Sequence, residues 1–227
     1  MNRYAAMPLV GEFEARIQEP LFPCVGAKSA MAQHGIGFVL GGDLRSPDAD
    51  ISLVGELQEF ARAASIDAVF VSKVVPFPST PALNEQHFEA AMWQRLQAFH
   101  AIDAASHDWD PEVSSDPESP HFSMSIGGRG FYVIGLHPDA SRTARRFHCA
   151  ALVFNLHSQF EALRADSRYD KLRTSITERD IAFSGSRNPM LATHGVSSEA
   201  RQYSGRQVHS DWRCPFNATT DGRRDAA

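Results

Sequence analysis

Cysteine is scarce in this chain: Cys24, Cys149 and Cys214 are the only three among 227 residues, and no two form a CxxC pair. That number and spacing exclude a disulfide framework and a zinc-ligand pattern, and a reducing cytoplasm is the expected setting. Positive charge is not in excess either. A net charge of −5 and a pI near 6.0 leave no electrostatic footprint for nucleic acid. Long apolar runs are missing: the stretch around Val69 is far shorter than the roughly 20 residues a membrane span needs, so no membrane partner is expected. The first sixteen residues, MNRYAAMPLVGEFEAR, lack a basic region followed by an apolar one, so no signal peptide is expected. Also absent are a Walker loop, GxSxG, HExxH and a dinucleotide GxGxxG after a strand; GIGFVLGG has glycines at the wrong spacing for phosphate binding.

What remains is an ordinary globular composition, 43% apolar and 22% charged, in a chain long enough to bury a sizeable core. Residues 1–20 read as a polar leading segment with a short helix over VGEFEARIQ. Residues 21–216 read as one α+β domain, and 217–227 as a flexible tail. GIGFVLGGDL has a strand-like centre. SPDADISLVGELQEFARAA is helical by the recurrence of Leu53, Leu57 and Phe60, with Asp48 or Asp50 as its cap. DAVFVSKVV reads as a buried strand ended by Pro76 and Pro78. In NEQHFEAAMWQRLQAFHAIDAAS, Asn84 is a good N-cap, and Phe88, Met92, Leu96 and Phe99 line one face. HFSMSIGGRGFYVIGL reads as a hairpin turning at Gly127-Gly128. ALVFN is a further strand, and residues 157–181 a long polar helix or a broken pair. The fold class this predicts is a single α+β domain with a mixed, partly antiparallel sheet covered by helices.

The chemistry-bearing residues cluster in GLHPDASRTARRF. His137 leaves the apolar run Phe131–Ile134 just before Pro138, where extended geometry is favoured. Arg142, Arg145 and Arg146 fall on nearly one face if DASRTARRF is helical. Such a run is either a turn leading into a solvated basic helix or a grip on carboxylates or phosphates, which suit the planar guanidinium. His157 follows ALVFN with Asn155 as a plausible N-cap, and it either caps a turn or faces a pocket. An imidazole in an apolar pocket with arginines at its rim suits a haem, the arginines pairing with the propionates.

Seven ordered stretches carry a resemblance: FPCVGAK, DWDPEVSSDP, FSMSIGGRGFYVIGLHPDASRTARRF, LVFNLHSQFEALR, NPML, EARQYSGR and DWRCPF. Together, from about Leu21 to Phe216, they resemble the YqcI/YcgG family, and within it the haem-dependent guanidine N-hydroxylases. The resemblance implies a haem b that activates molecular oxygen and places one oxygen atom on a guanidino N–H of arginine or a related compound. It also implies a separate electron donor or reductase, since the chain has no flavin or nicotinamide motif; a homodimer is compatible with it. As axial ligand, His137 is preferred to His157, with Cys24 as a thiolate alternative. Arg142, Arg145 and Arg146 would hold the propionates. Glu161 is the first candidate to hold the substrate's guanidinium, ahead of Asp180 and Glu178, each of which otherwise reads as a solvated helix carboxylate. Two other functions stay open: a haem-binding stress or sensor protein without hydroxylase activity, and an anion-binding module using the same arginines without haem.

Overall fold

Alternation along one strand sets the architecture. In Ala150–Leu156 (β5), Ala150, Leu152, Phe154 and Leu156 enter one core, while Ala151 and Val153 enter another on the opposite side. A strand buried on both faces must lie inside a sheet covered twice. The computed structural model, which describes residues 3–65, 70–165, 169–191 and 196–218, has this strand at the centre of five, in the order β1-β2-β5-β4-β3. Ile36–Phe38 (β1) pairs in parallel with Ser72–Phe77 (β2); all other pairings, with Met124–Ile126 (β3) and Arg129–Leu136 (β4), are antiparallel. The sheet is therefore mixed, and the single-domain α+β class expected from the sequence holds.

Two helices cover the first face. Asp50–Ala63 (α3) contributes Leu53, Val54 and Leu57; Glu85–Asp103 (α4) contributes Phe88, Met92, Leu96 and Phe99. Asn84 caps α4, its side chain accepting from the His87 N–H at 2.9 Å. The cap of α3 differs from expectation. Ala49 holds that position without a side-chain bond, and Asp50 turns inward to pair with buried Arg95. The C-terminal segment docks on the same core, where Trp93 and His100 meet the ring of Phe216.

The second face is covered by Arg3–Gln18 (α1), Val25–Ala32 (α2) and Tyr169–Ser184 (α6), the last separated from His157–Ala165 (α5). Leu9, Phe13 and Ile17 of α1 pack with Val74, Leu136, Phe147 and Val153. The polar stretch 157–181 is thus the broken pair. Pro76 lies within β2 rather than ending it: β1 stops opposite Val74, so the missing Pro76 N–H costs no ladder bond on that side, and the Pro76 carbonyl accepts from Gly41 at 2.8 Å. The first residues of the expected strand, 67–69, lie outside the described residues.

Gly127 and Gly128 form the β3–β4 turn with φ of +61° and +69°, as the hairpin reading requires. The Gly127 N–H donates to both oxygens of Asp103 at 2.9 and 3.1 Å, tying the turn to the end of α4. A Cβ at Gly127 would lie 3.1 Å from Ala61 Cβ and 3.2 Å from Gln58 Cα, whereas one at Gly128 would meet only Asp108 O at 3.9 Å. Gly127→Ala is therefore expected to destabilise by about 2 kcal/mol, backbone strain and crowding together, and Gly128→Ala by about 1 kcal/mol. Thermal melts of the two variants check the order.

The segment DASRTARRF is not a helix. Only Thr143–Arg145 forms a 3₁₀ turn, flanked by Arg142 and Arg146 in extended conformation. The reason lies in where the arginines bond. Arg145 donates to the carbonyls of Gly135, Tyr203 and Gln202, and Arg146 Nε donates to that of Ala140. These partners, with Gln202 and Tyr203 distant in sequence, hold the chain as a loop that no helical path would satisfy.

Candidate active site

Between the second face of the sheet and helices α1, α2 and α6 lies a cavity of about 330 Å³. Its floor alternates as a strand demands: Tyr132, Ile134 and Leu136 from β4, Val153 and Asn155 from β5. Phe13 and Ile17 of α1 and Leu172 and Ile176 of α6 form apolar walls. Two polar side chains of the lining are satisfied internally. Asn155 Oδ1 accepts from Ser72 Oγ at 2.7 Å, and its Nδ2 donates to Tyr132 O at 3.2 Å. Gln159 pairs with the Val71 backbone at 3.0 and 3.2 Å.

Cys24 opens α2 at the edge of this cavity. It is the N-cap, with Sγ accepting from the Ala27 N–H at 3.3 Å. Burial pushes its thiol pKa up; the Ala27 and Gly26 N–H groups and the Arg145 guanidinium oppose that shift. No histidine occurs on the described lining, so Cys24 is its one residue of the Cys/His type. Burial likewise raises the pKa of the Tyr132 phenol, against the pull of Arg145.

All three arginines singled out in the sequence reach the cavity, joined by Arg16. Their partners differ. Arg145 is anchored to three carbonyls. Arg142 pairs with Asp180 of α6 at 2.5 Å and donates to Ser186 O at 2.9 Å. Arg146 is exposed at the rim. Asp180 also accepts from Ser184 Oγ at 3.1 Å and is the one carboxylate on the described lining.

The two candidate histidines lie elsewhere. His137 follows β4 with its side chain toward α4, where it stacks on Phe88 at 4.3 Å and 22°. A Cβ at Gly135 would sit 2.7 Å from that phenyl ring, so Gly135 makes room for it. His137 hydrogen-bonds the Leu83 backbone, and its Nδ1 is buried without a partner among the described residues. His157 is the first residue of α5. Its Nδ1 lies 2.8 Å from Ser123 Oγ and its Nε2 3.0 Å from Glu161 Oε1. Glu161 is itself half exposed and shared with Arg164, away from the cavity. Asn155, expected as the N-cap before His157, belongs instead to β5 and the cavity floor. The residues the structure gathers are thus the arginines, Cys24 and Asp180, while His137, His157 and Glu161 stand apart from them.

Desolvation lowers the pKa of both His137 and His157 below the ordinary 6.5, with Glu85 and Glu161 respectively opposing it. A histidine held neutral in the fold binds fewer protons than in the unfolded chain once pH falls below 6.5. Stability is therefore expected to be full above that value and to decline as pH drops through 6.5 toward the folded-state pKa values. His137→Gln should flatten the slope of unfolding free energy against pH in that window, as denaturant titrations at several pH values would register.

No helix among the described residues is long and apolar enough to cross a membrane. Nor do three or more His, Cys, Asp or Glu side chains gather for a metal ion among the described residues. Residues 13–217 match the YqcI/YcgG family. The chain belongs to the YqcI/YcgG family. This YqcI/YcgG protein is also similar to a curated protein of Streptomyces lavendulae named "Putative N(omega)-hydroxy-L-arginine synthase DcsA". The two are 25% identical over 202 residues, which cover 85% of this chain and 76% of that one. No solved structure matches.

Proposed function

We propose that this YqcI/YcgG protein is a haem-dependent monooxygenase that hydroxylates a guanidino nitrogen of arginine or a related guanidine, with the cavity between sheet and α6 as its haem site. The observation that carries the reading is an apolar cavity whose described lining has one Cys/His side chain, Cys24, and four arginines. That combination fits a b-type haem: a soft donor for iron, apolar surfaces for the ring, and cations for the propionates. The similarity to the S. lavendulae protein supports the guanidine substrate.

In this reading Cys24 holds the iron, because His137 and His157 are committed to Phe88, Ser123 and Glu161 outside the cavity. Burial raises the Cys24 thiol pKa, and the α2 N–H groups and the Arg145 charge offset part of that rise; bonding to iron would supply the rest of what deprotonation needs. Bound haem would supply oxygen activation, with electrons from a separate donor. Arg146 at the rim would pair with a propionate, and Arg16 on the wall would do so by exchanging its bonds to Glu19 and the Thr143 carbonyl; Arg145 acts through position and charge. Asp180 orients the substrate: its two oxygens accept from Arg142 and Ser184 and retain lone-pair directions for a guanidinium. The apolar walls exclude water from the reacting nitrogen.

The test is an absorption spectrum of haem-reconstituted protein with and without carbon monoxide, followed by product analysis with arginine, oxygen and a reductant. A stoichiometric Soret band and an N-hydroxyguanidine product are expected. No haem uptake in any redox state would overturn the reading; a Soret band without product would leave a haem-binding protein that is not a hydroxylase.

A further inference from the structure

A second, polar pocket of about 280 Å³ adjoins the apolar cavity and shares Arg142 and Asn188 with it. Its other polar side chains come from Ser141, Ser184, Ser186, Arg187 and Gln207. It contains no carboxylate on its described lining, and the two side chains with formal charge are both guanidinium groups. These two arginines differ in what they already hold. Arg142 is paired with Asp180, whereas Arg187 is exposed and makes no ion pair or hydrogen bond among the described residues.

We propose that this polar pocket is a carboxylate-binding site in which Arg187 is the principal cation, with Arg142 bounding it on the cavity side. The ligand chemistry follows from what the pocket presents. A planar guanidinium with free N–H groups, flanked by serine hydroxyls and the Asn188 amide, matches a carboxylate's two acceptor oxygens. Because it shares Arg142 and Asn188 with the cavity, the pocket is positioned to take the anionic end of a molecule whose remainder lies in the cavity. Two such molecules follow from the proposed function, on which this inference rests: a guanidino acid, whose carboxylate would stay in the polar pocket while its guanidinium reaches Asp180, and the haem, through a propionate. In the first case Arg187 determines specificity, because a guanidine without a carboxylate leaves it unpaired.

The experiment compares the parent with Arg187→Gln, which keeps length and polarity and removes the charge. Three quantities are read: haem affinity by titration, and the dissociation constants of L-arginine and of agmatine, its decarboxylated analogue, by calorimetry on the apo and haem-loaded proteins. The substrate arm expects arginine to bind the parent on the order of tenfold tighter than agmatine, and Arg187→Gln to erase that ratio with haem affinity unchanged. The propionate arm expects haem affinity to fall by a similar factor while the arginine-to-agmatine ratio holds. A variant that matches the parent in haem affinity and in both dissociation constants overturns the carboxylate site. Arginine discrimination that is lost in Arg187→Gln, in a parent that forms no hydroxylated product, would retain the site and reject the hydroxylase reading. Circular dichroism of the variant confirms that an exposed side chain was changed without unfolding the domain.

Discussion

Cys24→Ser is expected to remove the thiolate signature of the ferrous carbon monoxide complex and to lower N-hydroxyguanidine formation by at least about 100-fold, a difference of about 2.7 kcal/mol. Serine suits the experiment because it keeps the N-cap. Its Oγ can accept the Ala27 N–H that Sγ accepts at 3.3 Å, so α2 should still start at the same residue. What serine lacks is a soft anionic donor for iron. His137→Ala gives the contrasting result. It removes a ring stacked on Phe88 and should cost about 1–3 kcal/mol of stability through lost packing, with the haem spectrum unchanged. His157→Ala, on the far side of Ser123 and Glu161, should behave likewise. A spectrum altered by His137→Ala and untouched by Cys24→Ser would transfer the iron to the histidine and move the haem to the α4 side of the sheet.

The sequence was legible wherever a local rule decides the outcome. The Gly127-Gly128 turn, the Asn84 cap and the α4 stripe of Phe88, Met92, Leu96 and Phe99 each depend on neighbours within a few residues. The site was less legible because it depends on which face of a strand each residue occupies. His137 is an odd number of positions from Tyr132, Ile134 and Leu136, so continuing the alternation of β4 carries it to the α4 side. The same period of two groups Asn155 with Ala151 and Val153 on the cavity side, a signal available in ALVFN that its proximity to His157 obscured. Whether the stretch of Arg142, Arg145 and Arg146 is helical was open in the sequence for another reason. Its conformation is held by carbonyls at Gly135, Gln202 and Tyr203, and no local spacing encodes those partners. The arginines nevertheless reach the cavity together, since residues so close in sequence on one short loop cannot separate far.

Charge in the cavity yields the second large effect. On the described lining four arginines face one carboxylate, Asp180, an excess of positive charge toward any cationic guanidine. Two haem propionates would offset about two of those charges, leaving Asp180 as the carboxylate on the described lining that can pair with a guanidinium, a group that stays protonated at any working pH. Asp180→Asn should therefore lower kcat/KM for arginine by on the order of 100-fold. Haem affinity should be retained or increased, because the substitution raises the positive charge around the propionates. A merely structural role for Asp180 makes a different forecast. Losing its bond with Arg142 would loosen α6 and reduce haem retention, thermal stability and turnover together. Binding of L-citrulline, the neutral urea counterpart of arginine, separates the two. If Asp180 acts through its charge, Asp180→Asn weakens arginine binding and leaves citrulline binding nearly unchanged. Equal weakening of both ligands would instead place Asp180 in the scaffold of α6 and leave recognition of the guanidinium to another group.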